Sequence, residues 1–140
     1  MVLRSLDDTR ELAENLVALS APGSLLLLSG PLGAGKTTLT GMIAVALGSE
    51  AQVSSPTYTL VHEYPTPHGL LVHIDAYRLP QAQALEQLGI DDYLERSRLT
   101  VIEWGEVLAS EYPEAWVVRL ERDADWRQAS IHPPRTEPGG

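Results

Sequence analysis

At 140 residues the chain has the length of one ordinary domain, long enough to bury roughly two-thirds of its unfolded surface without a covalent staple. It contains no cysteine, which excludes disulfides and thiolate metal sites. Its net charge of −9 argues against a direct grip on nucleic acid, because that grip comes from lysines and arginines neutralising phosphates.

The acidity reads as a solubilising surface, or more sharply as the complement of a basic partner. The first residues lack the apolar core of a signal peptide, and apolar runs such as Leu25–Leu28 are far too short to cross a bilayer. The expected location is the cytosol.

In chain order, Ser5 and Asp8 form a helix start, and the run after them sets Leu12, Leu16 and Leu19 on one face beside Ala13 and Val17. Pro22-Gly23 ends that helix. Ser24–Leu28 has the pattern of a strand covered on both faces. It runs into Gly30-Pro31-Leu32-Gly33-Ala34-Gly35 and then into Lys36–Leu47, a helical run that Gly48 can cap. Val53–Thr57 reads as a loop, and Tyr58–Tyr64 with Leu70–Ile74 as a β-hairpin turning through Pro65–Gly69. Gln81–Leu88 is a short helix stopped by Gly89, and Asp91–Leu94 adds another turn or two. Leu99–Ile102 is a second buried strand ending on Glu103, and Trp116–Leu120 a third. The tail from His132, with Pro133, Pro134 and Pro138, is expected to be disordered. The domain is therefore placed at 1–131 and the tail at 132–140.

The segment Gly30-x-x-x-x-Gly35-Lys36-Thr37 fits the phosphate-loop pattern in full. Glycines let the backbone wrap an anion closely, and the N–H groups of Gly33, Ala34, Gly35, Lys36, Thr37 and Thr38 are the inner donors. The Lys36 ammonium is a compact charge that can reach the outer phosphates, and the Thr37 hydroxyl suits Mg²⁺. By chance such a match is expected in roughly a few chains per thousand of this size. Nine of the ten basic residues are arginine, and the single lysine stands where a guanidinium would not substitute. The expected ligand is a nucleoside triphosphate with magnesium. The expected fold is α/β: a P-loop NTPase-like, three-layer domain with a mostly parallel central sheet, a β-hairpin insertion and flanking helices.

A magnesium–phosphate site also calls for a carboxylate at the end of a neighbouring strand. Asp75 after Leu70–Ile74 and Glu103 after Leu99–Ile102 both qualify. The residues alone leave open which holds the metal and which handles the attacking water. The base is adenine by default, since the only asparagine, Asn15, and the only lysine cannot form the Asn-Lys-x-Asp tetrapeptide of guanine-specific proteins.

Four segments together carry a family resemblance: the loop Gly30–Thr38, Ser55-Pro56-Thr57-Tyr58-Thr59-Leu60, His73-Ile74-Asp75-Ala76-Tyr77-Arg78-Leu79 and Val101-Ile102-Glu103-Trp104. In order and spacing, from about Ser5 to Trp104, they resemble the bacterial ATPase family TsaE, also known as YjeE. The resemblance implies weak, Mg-dependent ATP hydrolysis supporting formation of threonylcarbamoyladenosine at position 37 of tRNA. It implies TsaB and TsaD as protein partners, with tRNA met only through them. Carried over by motif, Thr37 and Glu103 would hold Mg²⁺, and Asp75 with Lys36 would serve catalysis. Ser55, Pro56 and Thr57 would form a switch-like loop, and Trp104 would lie beside the site as a partner or nucleotide contact. Arg127 is a further candidate for the nucleotide. The chain departs from the family pattern at Pro31, often Asp, and at Ala76, often bulkier. Neither position supplies a ligand.

Two rival readings remain. A small-molecule kinase would share the loop but need arginines to clamp its acceptor, for which Arg78, Arg96 and Arg98 are the candidates. A nucleotide-gated assembly factor would use ATP only to order Ser55–Thr57.

Overall fold

The computed structural model describes residues 1–30, 35–49, 61–75, 89–103, 112–122 and 127–135. A seven-stranded sheet forms the centre, in the order β1-β7-β6-β2-β5-β4-β3. Its strands are β1 (Val2–Leu3), β2 (Ser24–Ser29), β3 (Val61–Thr66), β4 (Gly69–Asp75), β5 (Ser97–Glu103), β6 (Trp116–Arg122) and β7 (Arg127–His132). The four inner strands β6, β2, β5 and β4 are mutually parallel, while β3, β7 and β1 join antiparallel at the two sides. The fold is thus α/β as expected, with a sheet parallel at its centre and mixed at its margins.

Helix α1 (Leu6–Leu19) begins where the capping residues place it. The Ser5 Oγ accepts the Asp8 N–H at 3.2 Å, and the Asp8 carboxylate reaches back to the Arg4 N–H at 2.9 Å. This reciprocal pair satisfies two backbone donors at the helix entry. Thr9, Leu12, Ala13 and Leu16 form its buried stripe. Helix α2 (Lys36–Ala46) ends in a Schellman arrangement: Ser49 N–H bonds Ala44 O and Gly48 N–H bonds Val45 O, each at 2.9 Å. Gly48 lies at φ 87°, which explains the glycine. Helix α3 (Ile90–Arg96) is longer than the expected Asp91–Leu94.

The alternation of β2 divides the core. Leu26 and Leu28 pack with α1 and α2 through Leu12, Leu16, Leu39 and Ile43. Leu25 and Leu27 pack on the other face with Ile74, Ile102 and Ile90 of α3. Helices on both faces of one sheet make three layers, and they explain why β2 is apolar without interruption.

Two expectations need correction. The hairpin turn is tighter than Pro65–Gly69, because Pro65 and Thr66 pair with Leu70 and Gly69. Proline is tolerated there because β3 is an edge strand. Nor is β6 a third fully buried strand: Val118 and Leu120 are buried, but Arg119, Glu121 and Arg122 are exposed. Strands β1 and β7 had no counterpart in the sequence reading. Past β7, the Arg135 N–H donates to Pro113 O at 2.8 Å. The expected Gln81–Leu88 helix lies outside the described residues, as does the expected Val53–Thr57 loop.

Candidate functional site

Parallel pairing brings the C-terminal ends of three strands into one row. Leu28 of β2 is in register with Glu103 of β5, and Glu103 with Asp75 of β4. Neighbouring strands lie about 4.8 Å apart, so the entrance to the glycine loop and both candidate acids fall within roughly 10 Å. A row of this kind at the carboxyl ends of parallel strands is where open α/β sheets bind ligands.

The start of α2 faces this row. Gly35 caps the helix at φ 99°, a conformation that glycine adopts without steric cost. A Cβ built there would meet Arg127 Cδ at 3.4 Å and Nε at 3.5 Å, so the arginine lies along the end of the loop. Lys36, the first helical residue, is only 6% exposed, and its Nζ donates to Gly30 O at 2.5 Å. That bond ties the first residue of the loop pattern to its lysine and holds the ammonium at the loop. Thr37 is half-buried, and Thr38 is exposed on the same first turn.

Thr37 Oγ1 donates to Glu103 Oε1 at 3.1 Å, linking α2 to the end of β5. Glu103 is 4% exposed, and its other oxygen, Oε2, lies 2.5 Å from Nε2 of the fully buried His73. An ionised carboxylate only accepts, so the imidazole donates through Nε2–H. Thr37, Glu103 and His73 thus form one chain across α2, β5 and β4. Among the described residues, the buried side-chain polar atoms without a hydrogen-bond partner are Ser29 Oγ and His73 Nδ1. Both belong to residues at this end of the sheet, one closing β2 and one in the chain just described. Unpaired buried polar atoms are rare in native folds, and their gathering here marks the region as built for more than stability.

The donor set fits a hard divalent cation. Thr37 and Glu103 bring a hydroxyl and a carboxylate oxygen together, and no group of three or more His, Cys, Asp or Glu that could hold a metal occurs among the described residues. An oxygen pair of this kind suits Mg²⁺, a hard cation that prefers oxygen ligands.

Of the residues expected at the site, Gly35, Lys36, Thr37, Thr38 and Glu103 converge at this edge, and the backbone of Asp75 stands beside them. Gly33, Ala34, Ser55, Pro56, Thr57 and Trp104 lie outside the described residues. His73 was quoted only as part of a motif and was given no role. A local sign of it exists: a histidine two residues before a strand-end acid is out of place in an apolar run.

The sequence model of the threonylcarbamoyl adenosine biosynthesis protein TsaE matches residues 3–130. The chain belongs to the TsaE family. The match runs past Trp104, where the recognisable motifs stop, and takes in β6 and most of β7. The tRNA threonylcarbamoyladenosine biosynthesis protein TsaE of Haemophilus influenzae is 41% identical over 107 residues, covering 76% of this chain and 68% of that protein. The protein of the same name from Streptomyces coelicolor is 43% identical over 108 residues, 75% of this chain and 72% of the relative. The crystal structure of Bacillus subtilis YdiB superposes with a TM-score of 0.75 at 27% identity, covering 96% of this chain and 84% of YdiB. This TsaE-family chain therefore has a role in tRNA threonylcarbamoyladenosine biosynthesis and a P-loop fold of the nucleotide-binding kind. Among its described residues no helix is long and apolar enough to cross a membrane.

Proposed function

We propose that this chain hydrolyses ATP with Mg²⁺ in the cytosol, in support of threonylcarbamoyl transfer to adenosine 37 of tRNA, together with TsaB-like and TsaD-like partners. The observation that carries this reading is the Thr37–Glu103 contact, which links the helix behind the glycine loop to the carboxylate of the adjacent strand.

In this reading the backbone N–H groups of Gly33 to Thr38 receive the phosphates, and Lys36 exchanges Gly30 O for phosphate oxygens. Thr37 and Glu103 hold the metal, which when bound neutralises charge on the phosphates. Asp75 orients a water in line with the outermost phosphorus and draws on its proton as the oxygen–phosphorus bond forms. The bond to ADP breaks, and the products are ADP and inorganic phosphate. Ser55, Pro56 and Thr57 act as a switch-like loop that reports the nucleotide state, and Trp104 contacts nucleotide or partner beside Glu103. Contact with tRNA falls to the partners, in keeping with a net charge of −9.

The kinase alternative loses ground on position. Arg96 pairs with Asp92 at 2.9 Å and lies over the Tyr93 ring, while Arg98 binds the end of α1. Arg98 lies at the start of β5 and Arg96 just before it, at the opposite end of the strand from Glu103, and the third candidate, Arg78, lies outside the described residues. The test is Asp75→Ala: hydrolysis is expected to vanish while ATP binding stays measurable by titration. Undiminished turnover would remove Asp75 from the reaction.

A further inference from the structure

We infer that His73 is a positioning residue for the metal site: its Nε2–H holds the Glu103 carboxylate in the one orientation that presents Oε1 to Thr37 and to a magnesium–phosphate ligand. The inference rests on the assignment of Thr37 and Glu103 to the metal.

The argument begins with what β4 would contain if it served only the core. Leu71, Val72 and Ile74 are fully buried, and an aliphatic residue at 73 would complete the pattern. A histidine there is fully buried as well, which removes a polar ring from water and leaves its Nδ1 with no partner. Such a substitution weakens a core unless the polar group has a task. Among the described residues the ring's one hydrogen-bond partner is Glu103, at 2.5 Å.

Glu103 needs that partner. A glutamate has three side-chain torsions, and at a strand end it can turn its carboxylate in several directions. Here each oxygen is held by a different element, Oε1 by Thr37 of α2 and Oε2 by His73 of β4. A metal held by Thr37 and Glu103 would compete with the Thr37 hydroxyl for Oε1. The bond on Oε2 then remains as the anchor. Outer partners of ligating carboxylates behave in this way in metal sites generally.

Position on the strand adds a second consequence. His73 lies two residues before Asp75, whose backbone is in register with Glu103. A bond from β4 to the Glu103 side chain therefore fixes the metal-holding carboxylate relative to the strand that carries the acid proposed to act on water.

The test compares His73→Leu, His73→Gln and His73→Asn with the parent chain. Binding of a fluorescent ATP analogue is followed first in EDTA and then through a Mg²⁺ titration. A glutamine amide can place its nitrogen near the position of Nε2, whereas the shorter asparagine cannot. The expected result for His73→Leu is analogue affinity in EDTA within about twofold of the parent, with the Mg²⁺ midpoint raised by roughly 10- to 100-fold. His73→Gln should recover most of that shift and His73→Asn little. Should the leucine variant fail to fold, the glutamine–asparagine pair carries the test. Equal Mg²⁺ midpoints for those two, or an unchanged midpoint in a folded leucine variant, would overturn the inference. Glu103→Ala separates the underlying reading. If it shifts the midpoint and the His73 variants do not, only the role of His73 falls; if it too leaves the midpoint unmoved, the metal assignment falls with it.

Discussion

The two ends of the parallel sheet handle their polar residues in opposite ways. At the N-terminal end, Arg98 donates to Val17 O at 2.9 Å and Ser20 Oγ at 3.5 Å, closing α1, while its own carbonyl accepts the Gly23 N–H at 3.1 Å. A Cβ on Gly69 would lie 2.8 Å from Arg98 Cβ, so the hairpin turn packs directly onto it. Ser97 and Thr100 bond each other at 2.9 Å. These groups meet partners whose own needs they satisfy. At the C-terminal end, Lys36 and Glu103 are buried, and Ser29 Oγ and His73 Nδ1 have no partner among the described residues. Buried charge and unmet hydrogen-bonding capacity both lower stability. The same strands thus end in a region arranged for the fold and a region arranged for something the chain alone does not supply. Substitutions at the first should change the stability of the unliganded protein, and substitutions at the second the gain on adding nucleotide.

Lys36→Met gives the sharpest contrast. The Lys36 ammonium is expected to make charge-assisted bonds worth about 1.5–3 kcal/mol to phosphate, so ATP affinity should fall by roughly 10- to 150-fold. The rise in melting temperature that ATP confers should disappear with it. Calorimetric titration beside thermal melts, with and without Mg-ATP, reads both. Parent-like affinity in this variant would break the comparison at its strongest point.

Arg98→Ala should do the reverse. It removes the two bonds that close α1 and the packing under the hairpin turn, which together are worth about 1–3 kcal/mol. For a domain of this size that is a fall of roughly 3–10 °C in the unliganded melting temperature. Nucleotide affinity at a temperature where the variant is folded should stay within about twofold, because the two ends of β5 are some 20 Å apart. Loss of nucleotide affinity in a folded Arg98→Ala protein would couple the two ends of the sheet and break the comparison.

How much of this was readable beforehand follows the same division between local and long-range causes. The phosphate loop, the Ser5 cap, the Gly48 terminus and the acid closing each of β4 and β5 are set by neighbouring residues, and the chain announces each one. Strand β7 announces little: of Arg127–His132 only Ala129 is buried, with Ser130 and Ile131 partly so, and its place comes from pairing with β6. Strand β1 is two residues held by β7. His73 was hidden for a related reason. Its partner is 30 residues away, and only the register of two parallel strands brings ring and carboxylate together. Local chemistry could nominate Glu103 and mark His73 as out of place in an apolar run, but not the contact between them.

The smallest effect tests whether the first region is as independent of the site as its position implies. Ser5→Ala removes the hydroxyl that accepts the Asp8 N–H, leaving a helix donor to water, while the Asp8 bond to Arg4 remains. Loss of such a cap costs about 1 kcal/mol, or roughly 3–5 °C in melting temperature here. Since α1 packs against α2, whose first turn carries Lys36 and Thr37, any loosening that spread through the helix pair would appear as weaker Mg-ATP binding. None is expected. The buried contacts between the helices, Leu12 and Leu16 against Leu39 and Ile43, lie beyond the first turn of α1 and do not depend on the cap. Equal Mg-ATP affinity at a lowered melting temperature would show that the frame can soften at its margin while the loop holds its geometry. A drop in affinity out of proportion to the stability change would mean that the two regions are coupled through the helix pair.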